Sequence, residues 1–345
     1  MAPLLFALLL SQGCSTASYL YQASAGQFAL FNHARPIPEV LKDERIRPRV
    51  KTLLARVDAM KKFGEANGLK ATPNYREYVQ LHRSAAVYVV SASESLRFEP
   101  KTWSFPIVGS FPYLGWFDLD RAKEFAANLR KNEGWDVDVR GASAYSTLGW
   151  FRDAVLSTMI PEGEEAEGEL ANVILHESVH ATLYVKGQSY FDESIASFIA
   201  DHLTPEYLKQ EKGAQSAELL SYLKSEDDGR ERQKVLHNAY LDLDRLYSSN
   251  LSNEEKLSKK SEIYTALKNK LGIKRDINNA TLIQYKTYNT GQTQFEELFS
   301  SCGKDWKKFL GALQSLKPES FKKPQQEDLA AVLKPLVDRG CNTLP

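Results

Sequence analysis

The chain has 345 residues, 43% hydrophobic and 26% charged, an ordinary globular composition that excludes a disordered tail or a fibrous repeat. Lys+Arg 44 balance Asp+Glu 44, so no overall basic field exists to hold a nucleic-acid backbone, and no nucleic-acid partner is expected. The three cysteines, Cys14, Cys302 and Cys341, are too few for a disulfide scaffold and include no C-x-x-C pair of the zinc-knuckle or thioredoxin type.

In chain order, the first apolar run, Leu4 to Leu10, is too short to cross a bilayer as a helix. With small Gly13 before Cys14 it reads as a processed leader over residues 1–13. Leu8 to Cys14 resembles the bacterial lipoprotein signal, which implies cleavage before Cys14 and a lipid on its thiol; a plain secretory peptide is the other reading. Ser15, where Asp would be the retention signal of enteric bacteria, favours the outer membrane over the inner by the same resemblance. Lipidation of Cys14 would leave Cys302 and Cys341 as an even pair in an oxidising compartment, either bridged across the C-terminal tail or as two buried thiols.

Residues 14–37 read as anchor and tether. Apolar residues at helical spacing (Val40, Leu41, Val50, Leu53, Leu54, Val57) predict helix between Pro38 and Gly64, with Pro48 as a break. Ala85 to Ser91 reads as a strand. Asp118 or Asp120 caps a helix that reaches Lys131 and ends at Gly134, and Asp136 to Arg140 alternates like a half-exposed strand. Beyond Leu203 the pattern is long charged helices over Pro205 to Lys224, Arg230 to Tyr247 and Asn253 to Leu271. Ser225 to Gly229 reads as a turn, Asn278 to Gly291 as a polar break, and the rest as helix. This divides the chain into a mixed catalytic lobe, 38–203, and a helical lobe, 204–345, with one cleft between them.

The chemistry concentrates at His176-Glu177-Ser178-Val179-His180. Gly-free and Pro-free sequence on both sides predicts a helix, and the i, i+4 spacing stacks the two imidazoles on one face, where both can bind one metal ion. Glu177, about 100° around the helix, falls beside the ion and can take a proton from water. Flanking Val173, Leu175, Val179 and Leu183 bury the helix, so its histidines need a partner. Gly187 then breaks the chain, and a second helix from about Phe191 offers Glu193 as third ligand; a third His six residues after the second is excluded, because Lys186 stands there. Asp192 and Asp201 are candidates to accept the distal N–H of a liganding histidine. The acidic run Glu162 to Glu169 reads as the solvated start of the metal helix.

His176-Glu177-x-x-His180, with Leu183-Tyr184-Val185 and Phe191-Asp192-Glu193-Ser194, resembles the bacterial putative aminopeptidase family of periplasmic zinc peptidases, which carry the gluzincin ligand set. The resemblance extends through Tyr21-Gln22-Ala23, Gly26-Gln27, Pro112 to Phe117, Ala144 to Phe151, Asn278-Asn279-Ala280 and Thr287-Tyr288, from about Tyr19 to Leu316. It implies that His176, His180 and Glu193 bind one Zn2+ and that Glu177 is catalytic.

Ala144 to Phe151 reads either as an edge strand along which a peptide substrate lies or as an ordinary core strand. A tetrahedral intermediate needs a hydrogen-bond donor, for which Tyr145, Tyr288, Tyr184 and His202 are candidates in that order. Asp192 and Asp153 are the carboxylates considered for a substrate's free amine. Together these readings predict an α+β, mainly helical, zincin-like protein with a small mixed sheet and a helical C-terminal lobe. Its predicted function is a lipid-anchored zinc peptidase of the bacterial envelope acting on peptides or proteins, aminopeptidase action being favoured over endopeptidase. The reading from a different class is a metal-binding envelope lipoprotein with a chaperone-like or scaffold role, against which the intact Glu177 argues.

Overall fold

The computed structural model describes residues 19–105, 109–144, 152–285 and 291–341. Cys14, Tyr145 and Tyr288 lie outside them, as do most of Ala144 to Phe151. Helix α1 covers residues 19–33. It is followed by strand β1 (Arg35–Pro36) and three short helices, α2 (Ile37–Val40), α3 (Pro48–Leu54) and α4 (Val57–Ala66). Pro48 opens α3 as its first residue, where its missing N–H has no intrahelical partner to lose. Strand β2 (Glu77–Val79) then joins β1 antiparallel, and β8 (Val155–Leu156) joins β2 parallel, making a small mixed sheet.

The second sheet has β3 (Val87–Ser93) at its centre, while β4 (Trp103–Phe105) and β5 (Gly109–Phe111) form a separate antiparallel pair, and β6 (Tyr113–Trp116) and β7 (Asp136–Ala142) are the antiparallel neighbours of β3. Between β6 and β7 runs α5 (Leu119–Glu133), capped by Asp118, whose Oδ1 accepts from Arg121 N at 2.9 Å, and ended by Gly134 at φ 73°. One sheet face, with Val90, Leu114, Trp116 and Val137, packs on Ala122, Ala126 and Leu129 of α5. Alternation puts Ser91, Tyr113 and Arg140 together on the other face. Asp138 departs from the half-exposed reading: it is buried, and Arg275 covers its carboxylate.

The centre of the molecule is a helix pair, α6 (Ala166–Thr182) and α7 (Ser189–Lys212). Leu170, Ala171 and Ile174 of α6 enter one core with α3, α4 and β2, and Leu175 and Val179 enter another with the C-terminal helices. Each of the larger side chains contributes about 1.5–3 kcal/mol by leaving water. α7 runs unbroken through Pro205, where a new helix was expected. Leu203, Thr204, Tyr207 and Leu208 continue the face buried by Ile195 and Ile199, and that packing overrides the proline. The acidic start of α6 is likewise not wholly solvated: Glu167 is buried under α7, bonded to Lys212 Nζ at 2.8 Å and to the Tyr207 hydroxyl at 3.1 Å.

α8 (Ala217–Tyr247) is one helix through Ser225 to Gly229, the expected turn. Ser221 donates to Glu165, just before α6, and Ser225 to Glu169 on it, and Arg230 pairs with Asp227 and Glu226, while the backbone stays helical. α9 (Asn253–Leu271) packs back on α8 as expected. α10 (Asn279–Leu282) ties this hairpin to the sheet through Asn279. Its amide donates to Glu94 O and Ser95 O, and its Oδ1 accepts from the hydroxyls of Tyr247 and Tyr264, both at 2.7 Å. α11 (Gln292–Ser301), α12 (Trp306–Leu313) and α13 (Ala330–Arg339) complete the chain, and a disulfide joins Cys302 to Cys341 with Cα atoms 4.9 Å apart. No helix among the described residues is long and apolar enough to cross a membrane.

Candidate metal centre

α6 stops at Thr182, earlier than the apolar run through Val185 suggests, because Leu183 turns extended. The loop returns through Gly187 at φ 80°, a left-handed turn favouring glycine, and α7 starts at Ser189. Four hydrogen bonds fix this turn. Asp192 Oδ1 accepts from Val185 N at 2.8 Å. From the far end of the chain, Gln325 N donates to Gly187 O, Gln326 N to Gln188 Oε1 and Gln188 Nε2 to Lys323 O, at 2.8–3.0 Å.

The result brings Glu193 over the two histidines. His176 Nε2 and His180 Nε2 are 3.2 Å apart with their rings nearly perpendicular, at 82°. Glu193 places Oε2 3.3 Å from His176 Nε2 and Oε1 3.7 Å from His180 Nε2. The three ligand atoms lie within 4.8 Å of one another, an arrangement able to hold a metal ion. Donors about 2.0–2.1 Å from a common tetrahedral centre stand about 3.4 Å apart, so the spacing fits zinc.

The electrostatics of the two histidines differ. Burial pushes the His180 imidazole down to about 4, with Glu193 only partly resisting, so it stays neutral with a lone pair to give. Burial also opposes charge on His176, but the Glu193 carboxylate, helped by Glu177 and Asp201, outweighs it and raises that imidazole above its ordinary value. Glu193, which burial would raise, is held below its ordinary value by His176, His180 and Arg140.

Neither aspartate expected behind the histidines reaches them. Asp192 serves the turn, with burial pushing its carboxyl up to about 7, and Asp201 accepts from Asn172 Nδ2 at 3.0 Å. Asp192 Oδ2 and His180 Nδ1 are both buried with no hydrogen-bond partner among the described residues. His202 is turned away as a donor: its Nε2 is 3.0 Å from Glu296 Oε1 and its Nδ1 2.7 Å from Phe198 O. Tyr184 is at the site, raised by burial with Asp192 and Glu193 adding.

Three side chains enter the site from elsewhere. Tyr113 on β6 has its hydroxyl pushed up to about 12 by burial, then by Glu193, with Arg140 opposing. Arg140 on β7 donates to Gln284 Oε1, and its charge is felt at Glu193. Tyr75 is buried with φ 61°, a left-handed backbone costing about 1–3 kcal/mol, and burial raises its hydroxyl well above the usual value with Glu177 and Asp153 adding. Only Tyr113 had a signal in the sequence, inside the Pro112 to Phe117 motif.

A mainly helical α+β chain thus brings together a His-His-Glu set that could hold a metal ion beside a second glutamate. The family model described as putative aminopeptidase matches residues 18–329, and the chain belongs to that family. No curated protein and no solved structure matches the chain.

Proposed function

We propose that this protein is a zinc-dependent peptidase of zincin-like fold, acting on peptide amino termini in the bacterial envelope and anchored by lipid at Cys14. The observation that carries the reading is the convergence of His176, His180 and Glu193 with Glu177 one residue along α6. Family membership supports peptidase chemistry. His176, His180 and Glu193 would hold zinc, which supplies a Lewis acid that polarises a carbonyl oxygen and acidifies water.

The chain's own groups do the rest. Glu177 takes a proton from water as its oxygen attacks the scissile carbonyl carbon, then passes that proton to the departing amine nitrogen, ending as it began. Tyr113 stays protonated near neutral pH and donates to the oxygen that becomes negative. Buried Tyr75, whose hydroxyl feels the Glu177 charge, would stay protonated beside that base.

Glu177→Gln is the decisive variant. It should keep the fold and bind one zinc per chain by atomic absorption, yet lose hydrolysis, because an amide cannot accept the proton. Turnover like the wild type in the zinc-loaded variant would refute the base assignment; failure of the wild type to bind zinc would refute the metal.

A further inference from the structure

Helix α1 carries an apolar stripe that is left exposed among the described residues. Among the described residues ten large hydrophobics are exposed, and four of them, Leu20, Tyr21, Phe28 and Phe31, lie on this one helix at 47%, 72%, 65% and 59% exposure. At about 100° per residue they fall within an arc of about 100°. The opposite face is fixed to the body. Gln22 Nε2 donates to Gly115 O, and Gln22 Oε1 accepts from Phe117 N, both at 3.1 Å. Tyr19 meets Trp116 edge-on and Phe105 at a tilt, and Gly26 lies so close to Phe117 that a Cβ there would meet its ring. The stripe therefore cannot turn inward without breaking the helix from β6.

Residues 19–32 contain no Asp, Glu, Lys or Arg, so the outward face offers aromatic and aliphatic surface without charge. That chemistry suits the headgroup and upper-acyl region of a bilayer, where Tyr and Phe bury their rings. Cys14 is five residues before Tyr19, so a lipid there would hold the start of α1 within about 17 Å of the bilayer even with the connection fully extended. One acyl anchor alone binds marginally, and a second contact is what makes it persistent.

We propose that α1 lies on the membrane surface through Leu20, Tyr21, Phe28 and Phe31, as a second membrane contact beside the lipid anchor. The biological setting rests on the envelope reading above, but the contact is tested without it. The chain from Ser15 onward, carrying an N-terminal histidine tag, is captured on phosphatidylcholine–phosphatidylglycerol vesicles containing a nickel-chelating lipid. An environment-sensitive fluorophore is placed at F28C or F31C, with T265C on the exposed side of α9 as the reference. Nitroxide-labelled lipid should quench positions 28 and 31 at least twofold more than position 265, and an added Leu20→Ser change should reduce quenching at 28.

Equal quenching at all three positions would overturn the proposal. So would a spectral shift at 28 that follows protein density and ignores the nitroxide, since a second copy of the chain would then be the occupant. Acylation of Cys14 is read separately by mass spectrometry of the membrane fraction, so its failure is distinguishable from failure of the stripe.

Discussion

In the proposed mechanism Tyr113 and Glu177 divide the work at the residue scale. Although its hydroxyl end is enclosed beside Glu193, Tyr113 is 42% exposed as a whole residue, so Tyr113→Phe should leave the melting temperature unchanged, while loss of one donor to the proposed developing oxyanion should cut kcat by roughly 10²–10³. Steady-state kinetics that show only a raised KM would assign the hydroxyl to substrate binding instead. His176, Glu177 and His180 were legible because helix geometry alone places i and i+4 on one face, and Glu193 because a short break forces the next helix to return. Tyr75 and Arg140 were not legible. Each reaches the site through tertiary contacts across a wide gap in sequence, and neither has a spacing that announces it. Asp192 shows the converse: adjacent to a ligand in sequence, it is spent on the turn's Val185 N–H.

Between elements, buried polar groups set the geometry. Asn279 satisfies all four of its side-chain hydrogen bonds, and Asn279→Ala would remove the shared acceptor of two tyrosine hydroxyls and the amide donor to Glu94 O and Ser95 O between the sheet and the α8–α9 hairpin, Ser95 O keeping its bond from Lys260 Nζ. A loss of about 2–4 kcal/mol is expected in chemical denaturation. Glu226, at the junction of α6, α7 and α8, behaves differently. Burial, then Asp201 and Glu169, raise its carboxyl from 4.5 to about 7. A raised folded pKa means stability is greatest below about 4.5 and is lost as pH climbs toward 7. Glu226→Gln should therefore flatten that slope and leave the variant about 1–2 kcal/mol more stable than the wild type at pH 8, the figure being reduced for its partial exposure. A parallel pair of stability–pH curves would show that Glu226 is solvated. Local signals foretold α5, with its Asp118 and Gly134 ends, and α9. They failed at Pro205 and at Ser225 to Gly229, where packing across helices outweighs a residue's local preference for a turn or break.

At the scale of the molecule, the C-terminal tail reaches back to the centre. The segment at Lys323 to Gln326 holds the α6–α7 turn, and it lies inside the 39-residue loop closed by the Cys302–Cys341 bridge. Replacing both cysteines by serine should cost about 3–4 kcal/mol from loop entropy, and it should weaken zinc binding in competition with a chelator by loosening that turn. Which end of a peptide enters the site turns on charge. Asp192 and Asp153, the carboxylates considered for a substrate amine, are only 2% and 7% exposed, too enclosed to meet one. The field around the centre is nevertheless polarised: the Arg140 cation acts from the sheet, and Asp201 acts on His176 from α7. An extended peptide would turn its α-ammonium away from the Arg140 cation and toward the acidic side of the centre, and a difference of about 1.4 kcal/mol between the two orientations is tenfold in rate. A free-amine peptide should accordingly be cleaved at least tenfold faster than its N-acetylated twin by the zinc-loaded protein. Equal kcat/KM for the two, or cuts inside the acetylated chain seen by mass spectrometry, would make the enzyme an endopeptidase and leave Arg140 to steer acidic side chains instead of the chain's direction.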